Sequence, residues 1–175
     1  MRLLVKILFI AWVFTPAFIH AQKSKVGYIN TNELWAVMPE KPKADSLFSF
    51  KQQEYQDRFN RMQTELNDKV AMYDLDSLQL ADPVIFKHHL EELKSLQQRT
   101  EEFQKDATGS LQEYKDALYK PIRARMQEAI DSVAEEGKYD FILDSSFGNI
   151  VYRRQESDNI LPLVLDELGI EIETD

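Results

Sequence analysis

The chain has 175 residues, 43% hydrophobic and 29% charged, with five Gly, six Pro and no Cys; Lys and Arg number 21 against 30 Asp and Glu, a formal net charge of −9. No disulfide framework, thiolate metal site or cysteine nucleophile is available, and five glycines are too few for a fold built on Gly-rich phosphate loops. The acidic balance opposes unaided nucleic-acid binding, which needs a basic footprint, and the length fits one domain, or one domain with an appendage.

In chain order, residues 1–21 read first as a secretory signal. Arg2 and Lys6 form a basic start, Ile7 to Phe14 is an apolar run, Pro16 ends it, and Ala21 suits a cleavage position before Gln22. Removing the two basic residues of this segment takes the net charge from −9 to −11. An exported chain without Cys relies on packing or oligomerisation for stability.

Residues 25–31, around Val26, Tyr28 and Ile29, predict a short strand, followed by a helical turn over Glu33–Val37 and a break at Pro39. From Lys43 to Leu80, beyond Pro42, there is no Gly or Pro, and Tyr55, Phe59, Met62, Leu66, Val70 and Tyr73 recur at the helical period. Asp82-Pro83 reads as an N-cap and first helical residue. The second stripe runs Phe86, Leu90, Leu93, Thr100, Phe103, Ala107, Leu111, Tyr114, Leu118, then Ile122, Met126, Ala129, Ile130 and Val133, to a C-cap at Gly137. Pro121 inside it predicts a kink, or the junction of a long arm with a compact base.

Two helices of 35 to 40 residues would each be about 55–60 Å long. One stripe per helix zips an antiparallel pair but does not bury it, so the pair should protrude as an arm; a compact bundle is the alternative. Beyond Gly137 the pattern becomes strand-like. Tyr139–Asp144 and Ile150–Tyr152 predict a β-hairpin around Gly148, and Asn159 an N-cap for a last helix carrying Leu161, Val164, Leu165 and Leu168, stopped by Gly169. The fold class is α+β, mostly α: a small β head with a long helical hairpin. The boundaries are 1–21 signal, 22–39 first head segment, 40–120 arm and 121–175 second head segment. These three mature segments carry +1, −4 and −8, so the acidity sits mainly in the base. Three short strands make a thin core, and self-association of the head is expected.

Signatures of chemistry are scarce. GxSxG, P-loop and GxGxxG motifs are absent, so no enzyme, cofactor or metal site is read. His88 and Glu92 have metal-ligand spacing, but they read as solvated surface near the hairpin tip. Asp74 and Asp76 lack the Gly and later Glu of a calcium loop. Glu54–Arg58 and Glu65–Lys69 read as i,i+4 pairs. Apolar residues off the stripes are Phe48, Phe50, Met72, Leu75, Leu78, Leu80, Val84 and Ile85. They either cap the tip as a satellite core or form an adaptable surface for nonpolar clients; Phe48, Phe50, Met72, Leu75 and Leu78 are the client-binding candidates. Gly109 is either a flex point of the arm or a place of close helix approach.

The order of parts resembles the Skp/OmpH-like family of periplasmic chaperones. The residues carrying the likeness are Lys25–Thr31 with Met38-Pro39-Glu40, Tyr119–Ile122, Ala129-Ile130 with Val133–Gly137, Tyr139–Asp144, Asn149–Tyr152, and Asp158–Ile160 with Val164-Leu165 and Leu168-Gly169. The resemblance implies a jellyfish-shaped homotrimer whose heads pool strands and whose arms enclose unfolded outer-membrane proteins without ATP. Val26, Tyr28, Ile29, Trp35, Phe141, Leu143, Ile150 and Tyr152 are then the head-packing or trimer residues, with Trp35 equally open to a purely intrachain role. At −11 the mature chain departs from the basic members, so a lipopolysaccharide or phospholipid site is not carried over; Arg58, Arg61, Lys69 and Lys87 could still form local positive patches. The alternative class is a structural or adaptor protein docking on one folded envelope partner.

Overall fold

The computed structural model describes residues 24–73, 82–148, 150–152 and 158–171. The signal reading of residues 1–21, and Leu75, Leu78 and Leu80, lie outside the described residues. The elements are β1 (Val26–Ile29), α1 (Thr31–Val37), α2 (Lys41–Met72), α3 (Pro83–Glu136), β2 (Phe141–Asp144), β3 (Asp158–Asn159) and α4 (Leu161–Leu168). This is the expected mostly helical chain with a small β head.

Local chemistry explains the helix ends. Asn30 caps α1: its side-chain oxygen accepts from the backbone N–H of Asn32 and Glu33, and its amide donates to Glu33 Oε1 at 2.7 Å. Asp82 caps α3 in the same way, accepting from Val84 and Ile85, with Pro83 at the first helical position. Gly169 ends α4 in the left-handed conformation, φ +67°.

Three details refine the sequence reading. Gly137 is the C-cap of α3, as expected, but its φ is −75°, and the left-handed residue is Lys138. Glycine is needed at 137 for space: a Cβ there would lie 2.3 Å from Cε2 of the Tyr139 ring. The residue flanking α4 is Ile160, with Asn159 one place earlier, accepting from Leu161 N–H at 3.1 Å. Pro121 leaves α3 continuous from Pro83 to Glu136 and directly precedes Ile122, the first α3 residue of the buried head core, which fits the reading of it as the junction of arm and base. It is exposed, so water can take the carbonyl bond that proline leaves unmade.

The sheet is the main correction. Its order is β2-β1-β3, and both pairings are parallel. No hairpin forms between 139–144 and 150–152, and Ile150, Val151 and Tyr152 carry no strand. The sequence reading paired chain neighbours across a tight turn, whereas β2 pairs with β1, over a hundred residues earlier. Parallel strands need a crossover connection; here that connection contains α1 and the whole of α2 and α3. The end of β2 is pinned to the start of α1. Thr31 Oγ1 donates to Asp144 Oδ2 at 2.7 Å, and Ser145 N–H reaches Ile29 O at 2.8 Å.

The core sits in the head. Ile29, Leu34, Met38, Ile160 and Val164 are fully buried against Ile122, Met126, Ala129, Ile130 and Val133, the last turns of α3. Gly27 lies on this inner face, where a Cβ would come within 2.9 Å of Ile142 Cδ1. Beyond the head, α2 and α3 form an antiparallel hairpin; at about 1.5 Å per residue they are about 48 and 81 Å long.

Candidate functional site

Two surfaces stand out, the outer face of the sheet and the arm. Along β1, Gly27 and Ile29 point inward, so Val26 and Tyr28 point outward. The register places Val26 beside Phe141 and Tyr28 beside Leu143. The outer face is therefore apolar across two strands, and it is largely uncovered: Val26 is 41%, Phe141 62% and Leu143 46% exposed, and Tyr28 is half-buried. Beside it, Val151 and Tyr152 are 97% and 84% exposed. They line, with Tyr28, Asn30, Ile150 and Asn159, a concavity of about 440 Å³. Of the expected head and trimer residues, Val26, Tyr28, Phe141 and Leu143 thus share one face, Ile150 and Tyr152 line the concavity at Tyr28, and Ile29 belongs to the intrachain core. Trp35 packs its ring edge-on against Tyr119, centroids 5.3 Å apart, and so joins α1 to the root of the arm.

The arm is fastened at its root by polar contacts. Tyr119 donates to Asp45 Oδ1 at 2.7 Å and Lys41 to Oδ2 at 2.6 Å. The Lys41 ammonium, and then the Tyr119 hydroxyl, hold the Asp45 carboxyl below its usual range. Arg125 pairs with Glu40 and donates to Leu168 O at 3.1 Å, tying α2, α3 and α4 together. Further out the seam is aromatic and aliphatic. Tyr55 meets Phe103 at 6.0 Å, the Arg58 guanidinium lies 5.0 Å from the Phe103 ring, and Leu93, Leu96 and Thr100 are buried. Thr100 satisfies its hydroxyl on Leu96 O at 2.8 Å. Leu96, 3% exposed, was missed in the sequence stripe, which skipped from Leu93 to Thr100.

At the far end the seam shifts by one position. Val70 is exposed and Lys69 faces α3 in its place, while Tyr73 stays on the seam as expected. Lys69 Nζ donates to Glu92 Oε1 at 2.5 Å and Tyr73 Oη to Oε2 at 2.6 Å. The Tyr73 ring stacks on His89, centroids 3.7 Å apart. Lys69, then Tyr73, depress the Glu92 carboxyl from 4.5 to about 2. The expected pairing of Lys69 with Glu65 is replaced by this cross-helix bond, and Glu54 pairs with Lys51 at 2.9 Å rather than Arg58. Glu92 is committed to α2, and among the described residues no group of three metal-ligating side chains forms. Lys87 is paired with Glu91 at 3.8 Å.

The client-binding candidates separate. Phe48 is half-buried near the root, 6.4 Å from Tyr119 and with the Lys115 ammonium 5.7 Å from its ring. Phe50 and Met72 are strongly exposed, as are Val84 and, less so, Ile85. At Gly109 the close-approach reading is overturned: nothing lies within 4 Å of where a Cβ would be. No described helix is long and apolar enough to cross a membrane. In comparisons with known proteins, the family described as Outer membrane protein (OmpH-like) matches over residues 25–168. No curated protein matches the chain.

Proposed function

The chain belongs to the OmpH-like family, and from that membership we propose that it is an ATP-independent periplasmic holdase keeping unfolded outer-membrane proteins in a cavity between the arms of a homotrimer. The family is one of periplasmic chaperones for outer-membrane proteins. The observation that carries the finer reading is the apolar sheet face of Val26, Phe141 and Leu143, left uncovered by a single chain. Apolar surface of that kind marks an interaction site. Copies of this head would cover it by pooling their strands, with Val151 and Tyr152 adding to the contact. Residues 22–39 and 121–175 then form the base, 40–120 the arm, and 1–21 a signal cleaved after Ala21.

The arm's exposed apolar residues favour a mobile client over a folded partner. Leu47 and Phe50 lie near the root, and Val70, Met72, Val84 and Ile85 near the tip, with a polar outer surface between. Several weak, separated contacts hold a chain by multivalency without a single pocket. Phe50, Met72, Leu75 and Leu78 are the proposed client contacts, and Phe48, packed beside Tyr119, supports the seam at the root.

The test has two stages. Light scattering gives the molar mass of the mature chain, and three times the monomer mass is expected. A urea-denatured outer-membrane β-barrel protein is then diluted into buffer with the trimer at near-stoichiometric ratio and no nucleotide. Aggregation should be suppressed; no suppression at several-fold excess would sink the holdase reading, and a monomeric mass would sink the cavity.

A further inference from the structure

At the root of the arm, next to the head core, α2 and α3 leave a groove of about 380 Å³ between them. Its floor is the buried pair Ala44 and Ile122, and its walls are exposed Leu47, half-buried Leu118 and the ring of Pro121. Phe50, strongly exposed, lies three residues beyond Leu47 on the same face of α2. Two ions at the head end of the groove are committed already, because Arg125 pairs with Glu40 and donates to Leu168 O. Two other polar groups are not. Lys43, exposed on the rim, has no hydrogen-bond or ion-pair partner among the described residues. Pro121 has no N–H to give, so the carbonyl of Ala117, four residues earlier, lacks its helical donor where the proline lines the groove.

We propose that this groove is a client subsite for an extended, unpaired stretch of polypeptide carrying an apolar side chain; the proposal rests on the holdase reading and adds one defined member to its set of weak contacts. The apolar side chain displaces water from Leu47, Leu118 and Ile122. The backbone of the segment supplies what the two polar groups lack. Each non-proline residue brings one N–H and one C=O, so an N–H donates to the Ala117 carbonyl and a C=O accepts from the Lys43 ammonium. Side chains of an extended segment alternate between faces, so one face meets the groove and the other faces water. A transmembrane β-strand carries that alternation of apolar and polar residues. Once such a strand is closed into a barrel its backbone groups are paired on both sides, and it can no longer bind here. The subsite therefore separates unfolded from folded chains by their free backbone groups. An anionic ligand fits it less well, because Glu40 and Arg125 cancel and one positive charge remains over an apolar floor.

The capped peptide acetyl-Thr-Leu-Thr-Leu-Thr-amide, titrated into the mature chain and followed by methyl NMR, tests this. Shifts should concentrate at Leu47, Leu118 and Ile122. Lys43→Met and Pro121→Ala should each weaken binding about two- to tenfold, the range of a single hydrogen bond. Pro121→Ala is the sharper variant, because it restores the helical N–H to the Ala117 carbonyl and favours the helix, so a loss of binding is not a loss of fold. A peptide N-methylated at every amide should bind the wild type more weakly and lose nothing further in Pro121→Ala. Shifts that are absent or centred elsewhere, or an unchanged affinity in Pro121→Ala, overturn the inference. If the wild type still suppresses aggregation of the denatured barrel protein, the holdase reading survives that failure. Peptide binding at these residues by a chain that suppresses no aggregation supports the subsite and sinks the holdase instead.

Discussion

The head and the arm are built by one chain on opposite principles. In the head, five elements converge on a core whose largest members are essentially sealed from water, among them Leu34, Ile160 and Val164. In the arm, two helices share one seam, most of which is only half-buried, with Leu93, Leu96 and Thr100 as the buried exceptions. Burial per residue decides how cooperative each part is. A sealed core fails as a unit, while a seam with contacts only to its nearest neighbours can open locally. A surface that must adapt to clients belongs on the second kind of structure.

The largest expected effect is in the head. Leu34→Ala should cost about 2–5 kcal/mol and lower the urea midpoint of the whole chain, as followed by circular dichroism. A loss below 1 kcal/mol would mean that the head core is softer than its burial implies. Next is the uncovered sheet face. Phe141→Asp should leave the monomer folded and reduce the molar mass to that of one chain; an unchanged mass would place self-association elsewhere. Leu96→Ala in the arm should cost about 2–3 kcal/mol, but felt locally, as faster exchange of amides 89–103 with the head midpoint nearly unchanged.

A pH titration separates the two regions by charge. The Glu92 carboxyl is depressed from 4.5 to about 2, so its contribution is complete above 4.5 and is lost as pH falls towards 2. Exchange at the arm's far end should therefore accelerate in that acid window, and Glu92→Gln should remove the change. The smallest effect is at Gly109, where a methyl meets nothing. Gly109→Ala should stabilise α3 by about 1 kcal/mol, read as slower exchange of amides 105–113. If the arm uses that residue as a flex point, the same variant should suppress aggregation less well.

How much of this was legible in the sequence depends on whether a feature is local. The Asp82-Pro83 start, the Gly169 stop and the seam through Tyr55, Phe59 and Phe103 were readable, because caps and periodicity are written within a few residues. The pairing of β2 with β1 was not. Alternation in Phe141–Asp144 says that a strand exists and which face is apolar, but not which partner it finds. Lys69 likewise has an acidic neighbour four residues away, yet bonds Glu92 because the seam turns towards it at the tip. The candidate site was legible as a set of residues and not as a face: Val26, Tyr28, Phe141 and Leu143 come together only through the parallel register.

The position of the arm inside the β1–β2 connection bears on how the chain folds. Closing a sheet across more than a hundred residues of flexible chain carries a loop entropy that slows folding. The hairpin removes most of that search, since zipping α2 against α3 returns the chain to within reach of β1. The arm thus acts as a splint for the head that it projects from. Its length is then free to change, provided both helices change together. Removing matched turns from α2 and α3 shortens the reach of the arm and leaves the splint, and so the head, able to form.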